Sequence, residues 1–389
     1  MTALMHLSIL GFLAVTSGGA TVASIAYCLL SLRAATRFLR RSMAPGKTHD
    51  RPGLSVLKPL KGADRELYEA LRSHCLQDYP QYEILFGITE ASDPAADLVR
   101  KLIAEFPERK LKLVNCNQRL GATGNVSTVA HLAPWASHEI LVVNDSDIRV
   151  TPDYLHTLSR ELQHRETGMV TCLYRGLAAP TLASRLDALT ISTDFIPGVL
   201  AASLIERGLH FGLGSTLAFR RRELQAIGGF QAIVDYLADD YELGRRVSEQ
   251  GLKVELSSAV VETHVPAYDL GEFLSHQLRW ARTIRASRPG GYAGLLLTFT
   301  LPWAVAALLF ARGSGWAWVL FAAAGLARMA VAITSCRFVL QDRKTLRSLW
   351  LLPLRDFVVV LVWIGGLVGN QVVWRGEKFA LACGKLRPL

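Results

Sequence analysis

Residues 7–32, "LSILGFLAVTSGGATVASIAYCLLSL", contain no charged side chain. At about 1.5 Å rise per residue such a run can cross a bilayer as one helix. A secretory leader would place basic residues first and a small-residue cleavage site after a shorter apolar stretch. Here the basic residues follow: Arg33, Arg37, Arg40, Arg41, Lys47 and Arg51. Positive flanks favour the cytoplasm, so the expectation is an anchor with its N-terminus outside.

Apolar composition returns after residue 290. "YAGLLLTFTLPWAVAALLFA" (292–311) and "GWAWVLFAAAGLARMAVAITSC" (315–336) read as a pair of spans joined by a short turn. "FVVVLVWIGGLVGNQVVW" (357–374) reads as a third, after the basic loop holding Arg337, Arg343, Lys344 and Arg347. Arg328 interrupts the second; a helix-facing or snorkelling arginine explains it more simply than a lipid-headgroup contact. The expected organisation is a transmembrane helix over 7–32, a cytoplasmic domain over 52–288 and a membrane region of about three spans over 290–376.

The chain carries a net charge of +10, and its mean hydropathy is +0.25. Because the basic residues gather beside the apolar segments, attraction to anionic headgroups accounts for the charge better than nucleic-acid binding. The six cysteines include no close pair, which argues against a zinc site or a disulfide framework. No protein partner is implied.

Between 52 and 288, short apolar runs alternate with helical patterns, as in an α/β layer fold. Strands are expected at "LSVLKPL" (54–60), "YEILFGIT" (82–89), "KLKLVNC" (110–116) and "HEILVVNDSD" (138–147), with helices over 64–77 and 93–106. Ligands in such sheets lie beyond the carboxyl ends of the strands. Glu90, Asp93, Asp145 and Asp147 all stand there.

Asp145 and Asp147 are separated by one residue, and like charges so close call for water or a cation. Hard oxygen donors suit Mg2+ or Mn2+ on a nucleotide diphosphate, although an isolated D-x-D also serves as a turn or helix cap. "YLADDYELGRRVSEQG" (236–251) puts Asp239 and Asp240 at a helix start, fit for capping or for a general base. "GLHFGLGSTLAFRR" (208–221) sets close glycines before a strand, either as a turn or to let backbone approach a ligand. "HQLRWARTIR" (276–285) spaces Arg279, Arg282 and Arg285 along one helix beside Trp280; it reads as a solvated face or as a diphosphate clamp.

Taken in order, "LSVLKPLKG", "DYPQYEILF", "SDPA", "NDSDIRV", "GGF", "DDYELG", "RWART" and "WRG" resemble the ceramide glucosyltransferase family of inverting GT-A glycosyltransferases. "VTCLYRG" and "RWARTIR" look most like the branch acting in bacterial hopanoid biosynthesis. The resemblance implies a GT-A, Rossmann-like α/β domain flanked by transmembrane helices in a multi-pass protein of the bacterial cytoplasmic membrane. It implies a UDP-sugar donor, a hexose or N-acetylhexosamine as the group moved, and the hydroxyl of a membrane lipid as acceptor. By the same resemblance, Asp93 contacts the nucleotide with Glu90 beside it, Asp145 and Asp147 bind the metal, and Asp240 is the base. Arg279 and Trp280 fill the R-W of a Q/R-x-x-R-W signature. His276 takes the first position of that signature, with Gln277 displaced by one, and Asn125 stands where the family often has lysine. Nothing in the sequence ties Lys58 or Lys61 to that position. A processive polysaccharide synthase, or an inactive membrane-anchored nucleotide- or lipid-binding protein, are the competing readings.

Overall fold

The computed structural model describes residues 2–42, 51–64, 66–374 and 377–388, and for 2–8 and 373–374 the backbone alone. Lys47 of the basic flank, and the Arg-Gly of the closing "WRG", lie outside the described residues. The chain forms two compact units.

One unit, comprising Arg41–Arg175, Ile205–His264 and Gln371–Leu389, holds the sheets. Its strands are β1 (Leu54–Pro59), β2 (Tyr82–Ile88), β3 (Lys110–Asn115), β4 (Ile140–Val143), β5 (Thr167–Ala178), β6 (Leu217–Arg220) and β7 (Lys253–Val265). They line up as β3-β2-β1-β4-β6-β5-β7. β1 pairs in parallel with β2 and β4, and β2 with β3, whereas β6 runs antiparallel to β4 and β5. Every residue of β1, β2 and β4 is buried, as expected for parallel strands covered on both faces. Edge strand β3 buries only Val114. The core joins Val56, Ile84, Phe86 and Val142 to Leu71, Val99 and Leu158 of the covering helices.

These elements match the expected strands and helices, with ends trimmed by a few residues. The helix expected from 93 spans Ala95–Glu105, and the Asp93 carboxylate accepts the Ala95 N–H at 2.9 Å. A second sheet, of order β10-β9-β8, is formed by β8 (Gln371–Trp374), β9 (Glu377–Ala382) and β10 (Lys385–Pro388).

The other unit, comprising Met1–Arg40, Gly176–Leu204 and Val265–Asn370, is helical. Among the described residues four helices are long and apolar enough to cross a membrane: Ile9–Ser42, Leu182–Ile205, Gly315–Val339 and Leu349–Leu367. A fifth candidate, Pro289–Thr298 with Thr300–Phe310, bends by 57° at its break. The first helix runs past residue 32 to Ser42, the run over 292–311 is broken at the bend, and two further candidates also differ from the apolar runs in the sequence. The third C-terminal run begins earlier and stops at Leu367, because the polar Gly-Asn that follows leads into β8. Leu182–Ile205 is diluted by Asp187, Ser192, Thr193 and Asp194, whose polar groups find partners inside the unit.

Arg328 faces its neighbouring helices. It is 3% exposed, its guanidinium makes two 2.9 Å bonds to the Asp356 carboxylate, and Nη1 donates to the Thr193 carbonyl at 2.7 Å. Arg355 completes a neutral quartet by reaching Asp356 at 2.9 Å and Asp194 at 2.6 Å. Charges buried this deeply persist only when paired and hydrogen-bonded.

Candidate active site

The strand ends of the sheet unit gather its carboxylates. β4 stops at Val143, where the apolar run gives way to Asn144. Asn144 is buried, and its amide donates to the Ser215 carbonyl, the Thr216 hydroxyl and the Tyr154 hydroxyl at 2.8–3.2 Å. These bonds join the end of β4 to the loop entering β6. Asp145 then donates its N–H to the Gly214 carbonyl at 3.2 Å.

Gly214 is the hinge of this arrangement. Its own N–H donates to Asp240 Oδ2 at 2.8 Å. A Cβ at Gly214 would stand 2.9 Å from Asp145 Oδ2 and 3.4 Å from Asp240 Oδ2, so only glycine leaves the two carboxylates in place. Asp240 opens the helix Asp239–Glu249; its Oδ1 accepts the Tyr241 N–H at 2.7 Å, and its carbonyl accepts the Gly212 N–H at 3.2 Å. Gly244, one turn on, lets that helix approach Gly212 directly.

Asp145 is exposed at the strand end, and desolvation by the groups around it pushes its carboxyl well above the ordinary range. The charges of Asp147, Asp239 and Asp240 push the same way, and the Lys58 ammonium opposes them. Burial also raises Asp240, against the pull of the Tyr241 and Gly214 N–H groups. Asp147 accepts a 2.5 Å bond from the Thr263 hydroxyl on β7.

Beneath this cluster lies Lys58. The β1–β4 register sets Leu57 beside Val143, so Lys58 stands next to the first residues beyond β4. Its side chain is fully buried, and Nζ donates to the Asp145 main-chain carbonyl at 2.6 Å. Burial brings the ammonium down to about 7, against the pull of Asp147 and Asp145. A lysine inside an apolar run was the available signal for this group, but the sequence does not tell which residue it reaches. Lys61 is exposed, and Asn125 is half-buried on the helix Gly124–Leu132.

Asp93 stands at the end of β2 and binds backbone: its carboxylate accepts the Gly62 N–H at 3.0 and 3.1 Å besides that of Ala95. It thereby ties the turn after β1 to the helix after β2. Glu90 is exposed, and its carbonyl accepts the Asp93 N–H at 3.0 Å.

The remaining predicted residues belong to the helical unit. Helix Leu270–Ser287 begins at a capping box in which Asp269 and Glu272 exchange side-chain-to-backbone bonds. His276 and Gln277 both turn to the buried Asp187, His276 Nδ1 at 3.3 Å and Gln277 Nε2 at 2.7 Å. The His276 ring lies between Tyr268 and Trp280, with centroids 5.5 and 5.3 Å away, and Trp280 also meets Phe195 at 5.6 Å. Arg279 is half-buried on the same helix.

The two hard oxygen ligands at Asp145 and Asp147 fit a divalent cation whose shell is completed by phosphate and water. Among the described residues no group of three or more His, Cys, Asp or Glu forms a complete metal cage. Such an open donor set, within a cluster of like charges, is what a cation arriving with a diphosphate would require.

The family model described as "Glycosyl transferase family 21" matches residues 18–387. The chain belongs to glycosyl transferase family 21. This family 21 glycosyltransferase is 23% identical over 349 residues to ceramide glucosyltransferase 3 of Caenorhabditis elegans, covering 86% of this chain and 73% of the relative. Ceramide glucosyltransferase 1 of the same organism is 22% identical over 350 residues, covering 86% and 72%. A mannosyltransferase from Pyrobaculum calidifontis, solved with GDP-Man and Mn2+, shares the fold at a TM-score of 0.50 and 20% identity, over 90% of this chain and 97% of that one. The α/β sheet of this family 21 member is accordingly a GT-A sheet.

Proposed function

We propose that this glycosyltransferase moves a hexose or N-acetylhexosamine from a UDP-sugar to the hydroxyl of a membrane lipid, a ceramide or a hopanoid, with inversion. The convergence of Asp145 and Asp240 on Gly214 carries the proposal, since a carboxylate suited to a hard cation then stands beside one that burial suits to accept a proton. Apolar helices of spanning length and the ceramide glucosyltransferase relatives support a lipid acceptor.

Asp145 and Asp147 would hold Mg2+ or Mn2+, which when bound supplies positive charge to the leaving diphosphate. Asp240, raised by burial, takes the proton of the acceptor hydroxyl. The hydroxyl oxygen then bonds to the anomeric carbon as the bond from that carbon to the diphosphate breaks. Arg279 is assigned to the departing diphosphate and Trp280 to the same catalytic signature. Glu90, Asp93 and His276 are assigned to the donor side; for Asp93 and His276 this means holding backbone and ring neighbours in place as much as touching the nucleotide. In the proposed topology the N-terminus lies outside and the sheet unit is cytoplasmic.

The test is incubation of the purified full chain in lipid vesicles with radiolabelled UDP-glucose or UDP-N-acetylglucosamine. Label in the lipid extract is expected. Label in polymer would indicate a processive synthase, and label in neither would leave a binding protein.

A further inference from the structure

The segment that delivers Asp240 is held from both sides. On one side the Thr123 N–H donates to the Val234 carbonyl at 2.8 Å, the Thr123 hydroxyl to the Tyr236 carbonyl at 3.0 Å, and the Ala122 N–H to Asp235 Oδ1 at 2.9 Å. On the other side stands the C-terminal hairpin β9–β10. The Leu237 N–H donates to the Gly384 carbonyl at 3.0 Å, and the Leu386 N–H to the Asp235 carbonyl at 2.8 Å. Tyr236 and Lys385 thus form an antiparallel bridge, and Lys385 Nζ lies 5.1 Å from the Tyr236 ring centre. Arg119 adds a two-pronged pair to Glu377 at 3.0 and 3.1 Å.

Without the hairpin, the Leu237 N–H and the Asp235 carbonyl would lose their partners just before the helix that begins at Asp239. The hairpin is itself tightly specified. Its two-residue turn, Cys383-Gly384, has positive φ at both positions (49° and 77°), the pattern that matches strand twist. The outer edge of β10 is left to pair with 235–237.

We propose that the C-terminal hairpin is a positioning element of the active site, fixing 235–238 and thereby the place from which Asp240 acts. The proposal rests on the reading of Asp240 as the base. A proton acceptor displaced by about 1 Å can cost about 10²-fold in rate, so a clamp on its approach segment bears directly on turnover.

Two glycines with the same φ allow a controlled test. Gly384 (φ 77°) forms the hairpin turn, and Gly251 (φ 77°) follows the far end of the Asp239–Glu249 helix with nothing near its Cβ position. Valine at either site strains the backbone. Gly384→Val and Gly251→Val are compared in the full chain by lipid glycosylation, UDP binding and amide exchange over 236–241. For Gly384→Val the expectation is a kcat lowered at least about tenfold, UDP affinity within about twofold of wild type and faster exchange over 236–241. Gly251→Val should keep both kcat and the exchange pattern. Should Gly384→Val not fold, Gly384→Ala, which strains the turn less, is read by the same measures. Unchanged exchange over 236–241, or an equal loss of kcat in both glycine variants, overturns the proposal. Wild-type turnover by Asp240→Asn would instead remove the base assignment, and the exchange result would still decide whether the hairpin holds the segment.

Discussion

The Oδ2 atoms of Asp145 and Asp240 close on a single point, the place where a side chain at residue 214 would begin. Gly214→Ala should therefore act on chemistry more than on stability. Its methyl would meet Asp145 Oδ2 at 2.9 Å and force one carboxylate aside. Turnover is expected to fall by about 10–10²-fold, with a stability loss of about 1–3 kcal/mol from overpacking. Lipid glycosylation and thermal melts of the purified variant measure the two effects. Near-wild-type turnover would mean that the two carboxylates do not act together.

Asp240→Asn should remove turnover while leaving UDP binding nearly intact. Asparagine keeps the size and the Oδ1 acceptor for the Tyr241 N–H, but it gives up the second acceptor that Gly214 uses and cannot take a proton at neutral pH. General-base catalysis contributes about 10²–10⁴-fold, which sets the expected loss. Asp239→Asn is the comparison and should retain measurable activity. Loss of UDP binding along with activity in Asp240→Asn would move the base assignment to Asp239.

Chelation should abolish transfer, and Mn2+ or Mg2+ should restore it. Asp145→Ala is expected to be at least as damaging as Asp147→Ala, because Asp145 also adjoins Gly214 and Asp240. Full activity of the wild-type chain in EDTA would return the pair to a purely structural role.

Lys58 should shape the alkaline side of the stability curve. Burial lowers its ammonium from 10.5 to about 7, so between those values the unfolded chain binds the extra proton. Stability rises with pH wherever the unfolded state holds more protons, and this contribution is unfavourable below about 7 and fades toward 10.5. The wild-type chain should thus gain stability from pH 7 to 9 relative to Lys58→Met, read as the difference in melting temperature. Parallel pH profiles would show that the amine titrates as it does in the unfolded chain.

Arg328→Met should destabilise the helical unit by about 3–5 kcal/mol, because Asp356 is left buried with part of its compensation gone. Arg328→Met with Asp356→Leu should be less damaging than the single change. A double variant weaker than Arg328→Met by the full cost of Asp356→Leu alone would indicate that the pair does not couple.

Much of the sheet is legible in the sequence, because parallel strands buried on both faces leave unbroken runs such as Ile140–Val143 between polar punctuation. The carboxylates are legible for the same reason, standing where those runs stop. What the strands hide is lateral contact. Lys58 interrupts an apolar run, yet only the β1–β4 register brings it to the Asp145 carbonyl. Leu182–Ile205 escapes notice because its polar residues are satisfied by Gln277, Arg328 and Arg355, far away in sequence. The hairpin "EKFALACGKLRP" is short and weakly patterned, and its meaning comes from the edge it offers to Tyr236. His276 and Gln277 look like a misaligned signature in sequence, whereas both turn to one carboxylate, Asp187, which accepts the Gln277 amide and lies 3.3 Å from His276 Nδ1.

Arg328 is synthesised before the carboxylate that binds it with two prongs. Asp356 lies 28 positions downstream, so a nascent chain carries the arginine through an interval in which its bidentate partner does not yet exist. During that interval its available partners lie upstream, the Thr193 carbonyl and hydroxyl among them, and an incompletely bonded guanidinium is costly in an apolar medium. The helix Leu352–Leu367 brings Asp356 together with Arg355, so its arrival supplies the two-pronged carboxylate without changing the net charge of the group.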